Sequence, residues 1–414
     1  MKKIFVGIFF VLGVIALISA APSPSWAQAK GPIKIGFIAP FSGAMSATGK
    51  DMLNGAQLYL EEIGYTAAGR KIELISEDDE AVPATSLTKT RKLVEKDGVH
   101  VMTGGLMAST GYALAPYIDS KEIPMTYPLM APDDLTQRQR AKWIVRTGWN
   151  SSLPNHPFGE YAYQTLKHRK VSVMALDYAF GWENVGGFQK TFEEAGGRII
   201  QKIWIPLTVT DFSPYLAQIS KDADAVYVVF LARSSLQFTK QYQEFGLKAK
   251  IPILGGGTTT DEHVLPSMGD EALGIITALH YSEALDNPAN KKFVKAFREK
   301  AKKAASYYSE NCYTGMRWII EAVKAINGDV ENRPKFLEAL KKVELKDVPR
   351  GPLKLDDYGN PIENVYIRKV ERVGGELQNT VIHTYPNVSQ FWKYKPEEFL
   401  KQPVYSRDFP PLKP

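Results

Sequence analysis

Apolar runs of strand length alternate with amphipathic segments of helix length along most of the chain, and this alternation restricts the possible folds more than any other feature. The first run is Ile33–Ala39, and the segment after it places Leu53, Ala56 and Leu60 on one face of a helix over 47–63. Two further strand and helix patterns follow before residue 121. Because parallel strands are joined by crossover helices, the pattern predicts a parallel sheet covered by helices on both faces.

The alternation breaks at residues 140–158, where turn-forming residues cluster, and then resumes over 171–254 and 274–326. A chain of 414 residues also exceeds the roughly 250–300 residues that one hydrophobic core usually serves. The sequence therefore predicts an α/β protein of two successive Rossmann-like lobes. The closing segment 391–414 is rich in aromatic residues and proline, and we expect it to wrap over the surface.

The N-terminus has the parts of a secretory signal peptide. Lys2 and Lys3 precede an apolar run over 4–21, and the pattern Ala-Gln-Ala ending at Ala29 fits a cleavage site. Residues 1–29 are therefore expected to be removed, which gives an exported protein of the periplasm. The alternative is an uncleaved membrane anchor, because 18 mostly apolar residues could nearly span a bilayer.

Net charge argues against a nucleic-acid partner, and cysteine content argues against an intramolecular disulfide. Removing residues 1–29 takes away Lys2, Lys3 and no acid, so the formal charge falls from +6 to +4. The remaining basic residues are scattered, and no nucleic-acid partner is expected. Cys312 is the only cysteine, so the fold must be held by its core without an intramolecular disulfide. We expect a monomer.

The segment 41–51, FSGAMSATGKD, lies between the first strand and the first helix and imitates a phosphate-binding loop. Such a loop needs four residues between its glycines and a Ser or Thr after its Lys. Here five residues separate Gly43 from Gly49, and Asp51 follows Lys50. A carboxylate at that position repels phosphate, so no nucleotide is expected. Gly49, Lys50 and Asp51 are interpreted as residues that only turn the chain into its helix.

The sequence contains no recognisable pattern for catalysis, a metal or a cofactor. There is no Gly-x-Ser-x-Gly or His-Glu-x-x-His motif, and Cys312 lies within a helical pattern that is typical of a buried structural thiol. The six histidines lack metal-ligand spacing. The acidic run 77–80 could bind calcium, but such a turn is more often solvated surface. We expect a protein that is not an enzyme and that needs neither cofactor nor metal.

A set of short motifs, taken together in their order and spacing, points to a known family. The motifs are 33–43 with Gly49, the turn 104–110, the segment 210–214 before a helix, the strand 224–229, and Tyr313. With them the mature chain resembles the periplasmic solute-binding proteins of branched-chain-amino-acid-type ABC importers, the Leu/Ile/Val-binding family with the type I periplasmic binding fold.

This resemblance implies two lobes joined by a hinge of three crossing segments, with a small-molecule solute in the cleft between them. The implied lobe 1 is 30–149 plus 280–352, and the implied lobe 2 is 150–279 plus 353–390. The implied partners are the membrane permease subunits of an ABC transporter, which receive the solute.

In such sheets ligands contact the loops at the carboxyl ends of the strands, and this rule selects the candidate site. The candidate ligand-binding residues are Phe41, Ser42, Met45, Ala108, Ser109, Thr110, Tyr127, Leu129, Met130, Ala131, Tyr178, Phe180, Arg233 and Gly257. Ser109, Thr110 and the N–H groups that start their helix could hold a carboxylate, although plain N-capping explains the same residues. Arg233 could clamp a carboxylate in two places or form a surface salt bridge.

The chain departs from the pattern that amino-acid-binding members of the family use. An ungapped match places Ala108 at the family serine, Ala131 at the threonine, Phe180 at the tyrosine and Gly257 at the acid. The partners of an ammonium group are missing, and burying that charge without a partner is costly. The remaining lining suits a carboxylate on a hydrophobic or aromatic body, so aromatic acids and branched-chain amino acids are both expected ligand classes.

Two interpretations of the function stay open. The first is the binding component of an importer, and the second is a soluble partner that presents a ligand to a signalling receptor, because the same fold serves in receptors. A small amide or urea is the alternative ligand. An enzyme on this scaffold has no support from any motif.

Overall fold

A computed structural model describes residues 1, 3 and 30–413 of the chain. Apart from residues 1 and 3, the predicted signal peptide lies outside the described residues, and its cleavage stays a prediction. Among the helices of the described part, none combines the length and the hydropathy that a membrane span requires.

The helices and strands follow the alternation expected from the sequence. In chain order the strands are β1 (Ile33–Ala39), β2 (Thr66–Ala67), β3 (Arg70–Asp78), β4 (Val101–Gly104), β5 (Met125–Tyr127), β6 (Ile144–Arg146), β7 (Lys170–Leu176), β8 (Arg198–Ile205), β9 (Ala225–Val229), β10 (Ile253–Gly256), β11 (Ile276–Leu279), β12 (Lys354–Leu355), β13 (Pro361–Val373) and β14 (Glu376–Val388). The α-helices are α1 (Ser46–Glu62), α2 (Pro83–Glu95), α3 (Ala108–Lys121), α4 (Asn155–Gln164), α5 (Ala179–Glu194), α6 (Ser213–Leu216), α7 (Ala232–Glu244), α8 (Pro288–Ala301), α9 (Tyr307–Ala325), α10 (Arg333–Lys341) and α11 (Pro396–Phe399).

The first sheet, as far as the structure describes the chain, has six strands in the order β2-β3-β1-β4-β5-β6. Its pairs are parallel except for the short β2–β3 pair. Strand β1 is buried along its whole length except at the half-buried Lys34, which explains why its sequence is otherwise apolar rather than alternating. This sheet and the helices packed on it form lobe 1.

The second sheet, within the same described range, has eight strands in the order β12-β13-β11-β10-β9-β7-β8, with β14 paired to β13. Strands β7 to β11 pair in parallel, whereas β13 pairs antiparallel with both β11 and β14. This sheet forms the centre of lobe 2, so two α/β lobes with mainly parallel sheets are confirmed. The antiparallel edge allows a tight turn at Gly374 and Gly375, both of which have positive φ.

The chain moves between the lobes in three places within the described residues. It leaves lobe 1 after β6, returns after β11 when α8 and α9 pack against α1, and leaves again before β12. The predicted lobe boundaries at 149, 279 and 352 stay a prediction, because the sheets locate the crossings only to within the connecting segments.

Helix α4 was not predicted, because it lies in the segment 140–158 that is rich in turn-forming residues. Its first five residues, 155–159, are all buried, and Thr191 on α5 donates a hydrogen bond to the carbonyl of His156 at 2.6 Å. Packing against α5 therefore decides the local structure here, and intrinsic propensity does not.

The C-terminal tail, residues 391–413 of the described chain, contacts both lobes. Arg138 in lobe 1 donates hydrogen bonds to the carbonyls of Phe399 and Gln402 at 3.1 and 2.8 Å. Further along, Lys413 forms an ion pair with Glu193 on α5 at 3.3 Å. The tail thus contacts residues of both lobes, and its expected role as a segment that wraps over the surface stays a prediction.

Candidate functional site

A small cavity lies where residues from both lobes meet. Its volume is about 20 Å³, which is room for roughly one water molecule. The lining comes from the loops and helix starts that follow β4, β5, β7 and β9, from the segment after β6, and from the start of α9. The lining residues are Leu106, Met107, Ala108, Leu129, Ala131, Trp149, Tyr178, Phe180, Leu231, Tyr307 and Tyr308.

Among the described residues, four helices begin at the wall of this cavity, and in three of them the N-cap residue itself lines it. The N-cap residues of α3, α5 and α7 are Met107, Tyr178 and Leu231, and each of them lines the cavity. None of the three side chains makes a capping hydrogen bond. The first N–H groups of a helix have no partner inside the helix, and the helix dipole adds positive potential at the same end. The cavity wall is therefore suited to a negatively charged group, although none of the described residues that line it is basic.

Aromatic side chains form most of the remaining wall. The Trp149 ring centroid lies 5.7 Å from that of Phe180 and 5.8 Å from that of Tyr307, both in edge-on contacts. The rings of Tyr307 and Tyr308 are 4.0 Å apart. Burial raises the pKa of the Tyr178 and Tyr307 phenols well above the usual value, so both hydroxyls stay neutral. The wall therefore combines flat apolar faces with neutral hydroxyl groups.

A buried arginine fixes the segment that carries Trp149. Arg146 donates to the carbonyls of Met130 at 2.8 Å, Trp149 at 3.2 Å and Pro132 at 2.6 Å. These carbonyls belong to the loop after β5 and to the crossing segment after β6. One guanidinium thus holds two parts of the cavity wall in a fixed relation.

A buried hydrogen bond joins the lobes one helical turn behind the cavity. The Tyr112 hydroxyl on α3 donates to Glu183 Oε1 on α5 at 2.8 Å, and the backbone N–H of Asp133 donates to the same oxygen at 3.2 Å. Burial raises the pKa of the Glu183 carboxyl well above its usual value, and the nearby Asp133 adds to this shift. Because α3 and α5 also supply two of the three helix starts, this contact fixes the distance between them.

Five of the fourteen predicted residues line the cavity: Ala108, Leu129, Ala131, Tyr178 and Phe180. Ser109 lies half-buried in the first turn of α3, and Thr110 beside it is fully buried with a hydroxyl that has no hydrogen-bond partner among the described residues. Neither residue is among those that line the cavity, and the predicted contact with a carboxylate therefore remains a proposal.

The other predicted residues lie outside the cavity wall. The Phe41 N–H donates to Asp78 Oδ1 at 2.8 Å and the Tyr127 hydroxyl donates to the Gly111 carbonyl at 2.9 Å, so both are held by contacts inside lobe 1. Ser42 is exposed and Met45 is half-buried.

Three more of the predicted residues do not line the cavity, namely Met130, Gly257 and Arg233. Met130 fills the space beside Gly105, and the Gly257 carbonyl accepts a hydrogen bond from Arg368 at 2.7 Å. The Arg233 side chain is exposed. Arg233 is not among the residues that line this cavity, and its role as a carboxylate clamp stays a prediction.

The strand-end rule did not select several residues that line the cavity, and three of them are aromatic. Trp149 lies in a crossing segment, while Tyr307 and Tyr308 start a helix of lobe 1 that returns after lobe 2. Adjacent tyrosines after the N-cap Ser306 were a usable signal, because large aromatic residues at a helix start face whatever lies beyond the helix end. Among the described residues, no group of His, Cys, Asp or Glu side chains is arranged to hold a metal ion.

Comparisons with known proteins agree with this architecture. A family model described as a periplasmic binding protein matches residues 32–376. Leu/Ile/Val-binding protein homolog 6 of Brucella suis is 30% identical over 393 residues, which are 93% of this chain and 97% of that relative.

Two solved structures are also similar over nearly their whole length. A solute-binding protein of an ABC transporter from Rhodopseudomonas palustris BisB5, in complex with 3,4-dihydroxybenzoic acid, is 33% identical with a TM-score of 0.82. It covers 86% of this chain and 98% of its own. A second R. palustris solute-binding protein, in complex with benzoate, is 29% identical with a TM-score of 0.81, over 87% and 98% of the two chains.

Proposed function

Because this chain belongs to the periplasmic binding protein family, whose members are solute-binding components of ABC transporters and not enzymes, we propose that its ligand is a small aromatic carboxylate. The protein captures this ligand between its lobes in the periplasm, as a monomer, and delivers it to membrane permease subunits. Two relatives that are 29–33% identical were solved with benzoic acids bound, which supports this ligand class.

The observation that carries the proposal is a cavity wall made of aromatic faces and helix starts. A flat ring packs favourably between aromatic side chains such as Trp149, Phe180 and Tyr307. A carboxylate attached to that ring meets the N–H groups of α3, α5 and α7, which replace the water that it loses on binding. One molecule with a flat apolar body and one anionic end satisfies both parts of the wall.

The same wall disfavours a free amino acid. No acidic side chain lines the cavity within residues 30–413, so an ammonium group would be buried without a counter-charge. The positive ends of three helices would repel that group further. The name of the Brucella relative makes leucine, isoleucine and valine the alternative to be tested.

The small volume of the cavity implies that the lobes are closed. An aromatic acid is much larger than the one water molecule that about 20 Å³ can hold, so the lobes must open for the ligand to enter and must settle around it afterwards. When the hinge closes on the ligand, the surface that the permease contacts also changes.

A ligand panel measured by thermal shift and calorimetry tests the proposal. The protein is unfolded and refolded first, so that any co-purified ligand is removed. The panel contains benzoate, benzamide, leucine, isoleucine, valine and urea. A ligand at 100 times its Kd raises the free energy of unfolding by about 2.7 kcal/mol.

Benzoate is expected to give the largest shift of the panel, and neutral benzamide a much smaller one because it cannot use the helix starts as an anion does. A larger shift with leucine, isoleucine or valine would replace the proposal with amino-acid binding. A larger shift with benzamide or urea would show that the ligand is a neutral amide.

A further inference from the structure

The C-terminal tail, residues 391–413, lies beyond the matched family region and packs on lobe 2 through aromatic side chains. Phe399 and Tyr405 are both buried, and their ring centroids lie 5.8 and 6.1 Å from that of His156 on α4. Tyr405 also packs closely on Gly186 of α5, where an added Cβ would lie 2.3 Å from the Tyr405 ring. Burial of these rings keeps the tail attached to lobe 2.

The tail also contacts the segment that carries one of the helix starts of the cavity wall. Arg407 forms an ion pair with Asp177 at 3.4 Å, and Asp177 accepts a hydrogen bond from the indole N–H of Trp182 at 2.9 Å. Asp177 immediately precedes Tyr178, the N-cap residue of α5 that lines the cavity. A displacement of the tail would therefore reach the cavity wall through a single residue.

An arginine of lobe 1 holds the other side of the tail. Arg138 Nη2 donates to the carbonyls of Phe399 at 3.1 Å and Gln402 at 2.8 Å, and its Nε donates to the Gln402 carbonyl at 3.1 Å. Its Nη1 donates to Asp134 Oδ1 at 2.9 Å, which orients the guanidinium. Phe399 is thus held by lobe 2 through its ring and by lobe 1 through its carbonyl.

The loop that carries Arg138 takes part in the hydrogen bond between the lobes behind the cavity. The backbone N–H of Asp134 donates to the Tyr112 hydroxyl oxygen at 3.2 Å, and that hydroxyl donates to Glu183 on α5 at 2.8 Å. Gly186, on which the tail packs, follows Glu183 by less than one turn of α5. The tail therefore contacts both sides of the Tyr112–Glu183 bond, on lobe 1 through Arg138 and on lobe 2 through its packing on Gly186.

Opening of the lobes must break one of the two attachments of the tail, because it moves α3 and the loop of Arg138 away from α5. The Arg138 contacts are polar and the side chain is 19% exposed, whereas the attachment to lobe 2 buries aromatic rings. The Arg138 contacts are therefore the ones that break. We propose that the C-terminal tail is a strap that holds the lobes closed and slows release of the ligand, with Arg138 as its releasable anchor.

This inference rests on the proposed function only in that a ligand is bound between the lobes, and it is the same for every ligand class. Arg138→Lys is the test variant, because it keeps the positive charge beside Asp134 and loses the forked donation to two carbonyls. Arg198→Lys is the matched control. Arg198 on β8 also donates to a carbonyl of the tail, that of Lys413 at 3.4 Å, but this contact lies within lobe 2.

Two measurements on the refolded protein test the strap. Stopped-flow displacement measures the release of benzoate, and small-angle X-ray scattering measures the radius of gyration without ligand. We expect Arg138→Lys to release benzoate about fivefold faster, since lysine replaces only part of the donors that bind the tail, and to have a larger radius of gyration. Arg198→Lys is expected to match the unmodified protein in both measurements.

The outcomes separate the strap from the proposed function. An unchanged release rate in Arg138→Lys would overturn the strap, even if the free energy of unfolding fell, because the tail would then only stabilise the fold. Equally fast release from Arg198→Lys would overturn it too, since any loosening of the tail would then have the same effect. If benzoate did not bind at all, the proposed function would fail, and the scattering would decide alone. Equal radii of gyration for Arg138→Lys and the unmodified protein would then overturn the strap.

Discussion

His263 Nδ1 lies 2.7 Å from Asp51 Oδ2, and the two residues belong to different lobes. Asp51 is on α1 of lobe 1 and is fully buried, whereas His263 follows β10 of lobe 2 and is 10% exposed. Lys303 pairs with the second oxygen of Asp51. The backbone beside His263 is fixed in turn, because Asp261 accepts from the N–H groups of His263 at 2.8 Å and of Tyr307 at 3.3 Å. A polar contact across the cleft is therefore connected to the cavity wall through Asp261.

We expect His263→Ala to weaken ligand binding about tenfold by accelerating ligand release, because the closed lobes lose a hydrogen bond to a charged group worth roughly 1.5–3 kcal/mol. Stopped-flow displacement and calorimetry measure the release rate and the affinity. His383→Ala is the matched control, since His383 is exposed on β14. An unchanged release rate in His263→Ala would show that the contact does not hold the lobes closed.

The contact of Asp51 also shows which part of the structure the sequence alone does not predict. The interpretation that Gly49, Lys50 and Asp51 only turn the chain into its helix is wrong, because all three lie inside α1 and Asp51 contacts His263 of the other lobe. The partner His263 is 212 residues away, and no local pattern records such a distance. Periodicity located β1, α1 and most later elements because their own residues determine which face is buried. The cavity wall needs residues from two lobes and a crossing segment, so Trp149 could be located only after the lobes were assembled.

The helix start of α3 offers a direct test of anion binding. Ala108 is its first helical residue, lines the cavity and has an extended residue before it, so proline fits there without disturbing the helix. Ala108→Pro removes one N–H group and is expected to weaken benzoate binding about tenfold, as for a lost hydrogen bond to a charged group. Calorimetry measures the affinity. Ala108→Gly keeps the N–H and should stay within about threefold of the unmodified protein, and a similar loss in both variants would mean that shape and not the N–H matters.

Gly104 fixes the turn that leads from β4 to α3. Its φ is +91°, and a Cβ at this position would lie 2.2 Å from the carbonyl oxygen of Ile38. We expect Gly104→Ala to lower the free energy of unfolding by about 3 kcal/mol or more, since backbone strain and a clash with rigid backbone combine. Chemical denaturation measures this change. Gly98→Ala is the control, because Gly98 also has positive φ but has nothing within 4 Å of the added Cβ, and its cost should be about 1 kcal/mol. Equal costs at both positions would rule out the clash.

His156 gives the protein a specific loss of stability in acid. The ring is fully buried against the tail, and its Nε2 lies 3.0 Å from the Tyr405 hydroxyl. Burial, with a smaller effect of Lys190, lowers the pKa of His156 from 6.5 to about 3. Between these values the unfolded chain binds a proton that the folded chain does not, so stability falls as the pH falls, by up to about 1.4 kcal/mol per pH unit. His156→Phe cannot bind that proton, and its free energy of unfolding should fall less steeply than that of the unmodified protein between pH 6.5 and 4, even if it is lower at pH 7. Denaturation at several pH values compares the slopes, with His383→Phe as the exposed control, and identical slopes in all three proteins would contradict the assignment.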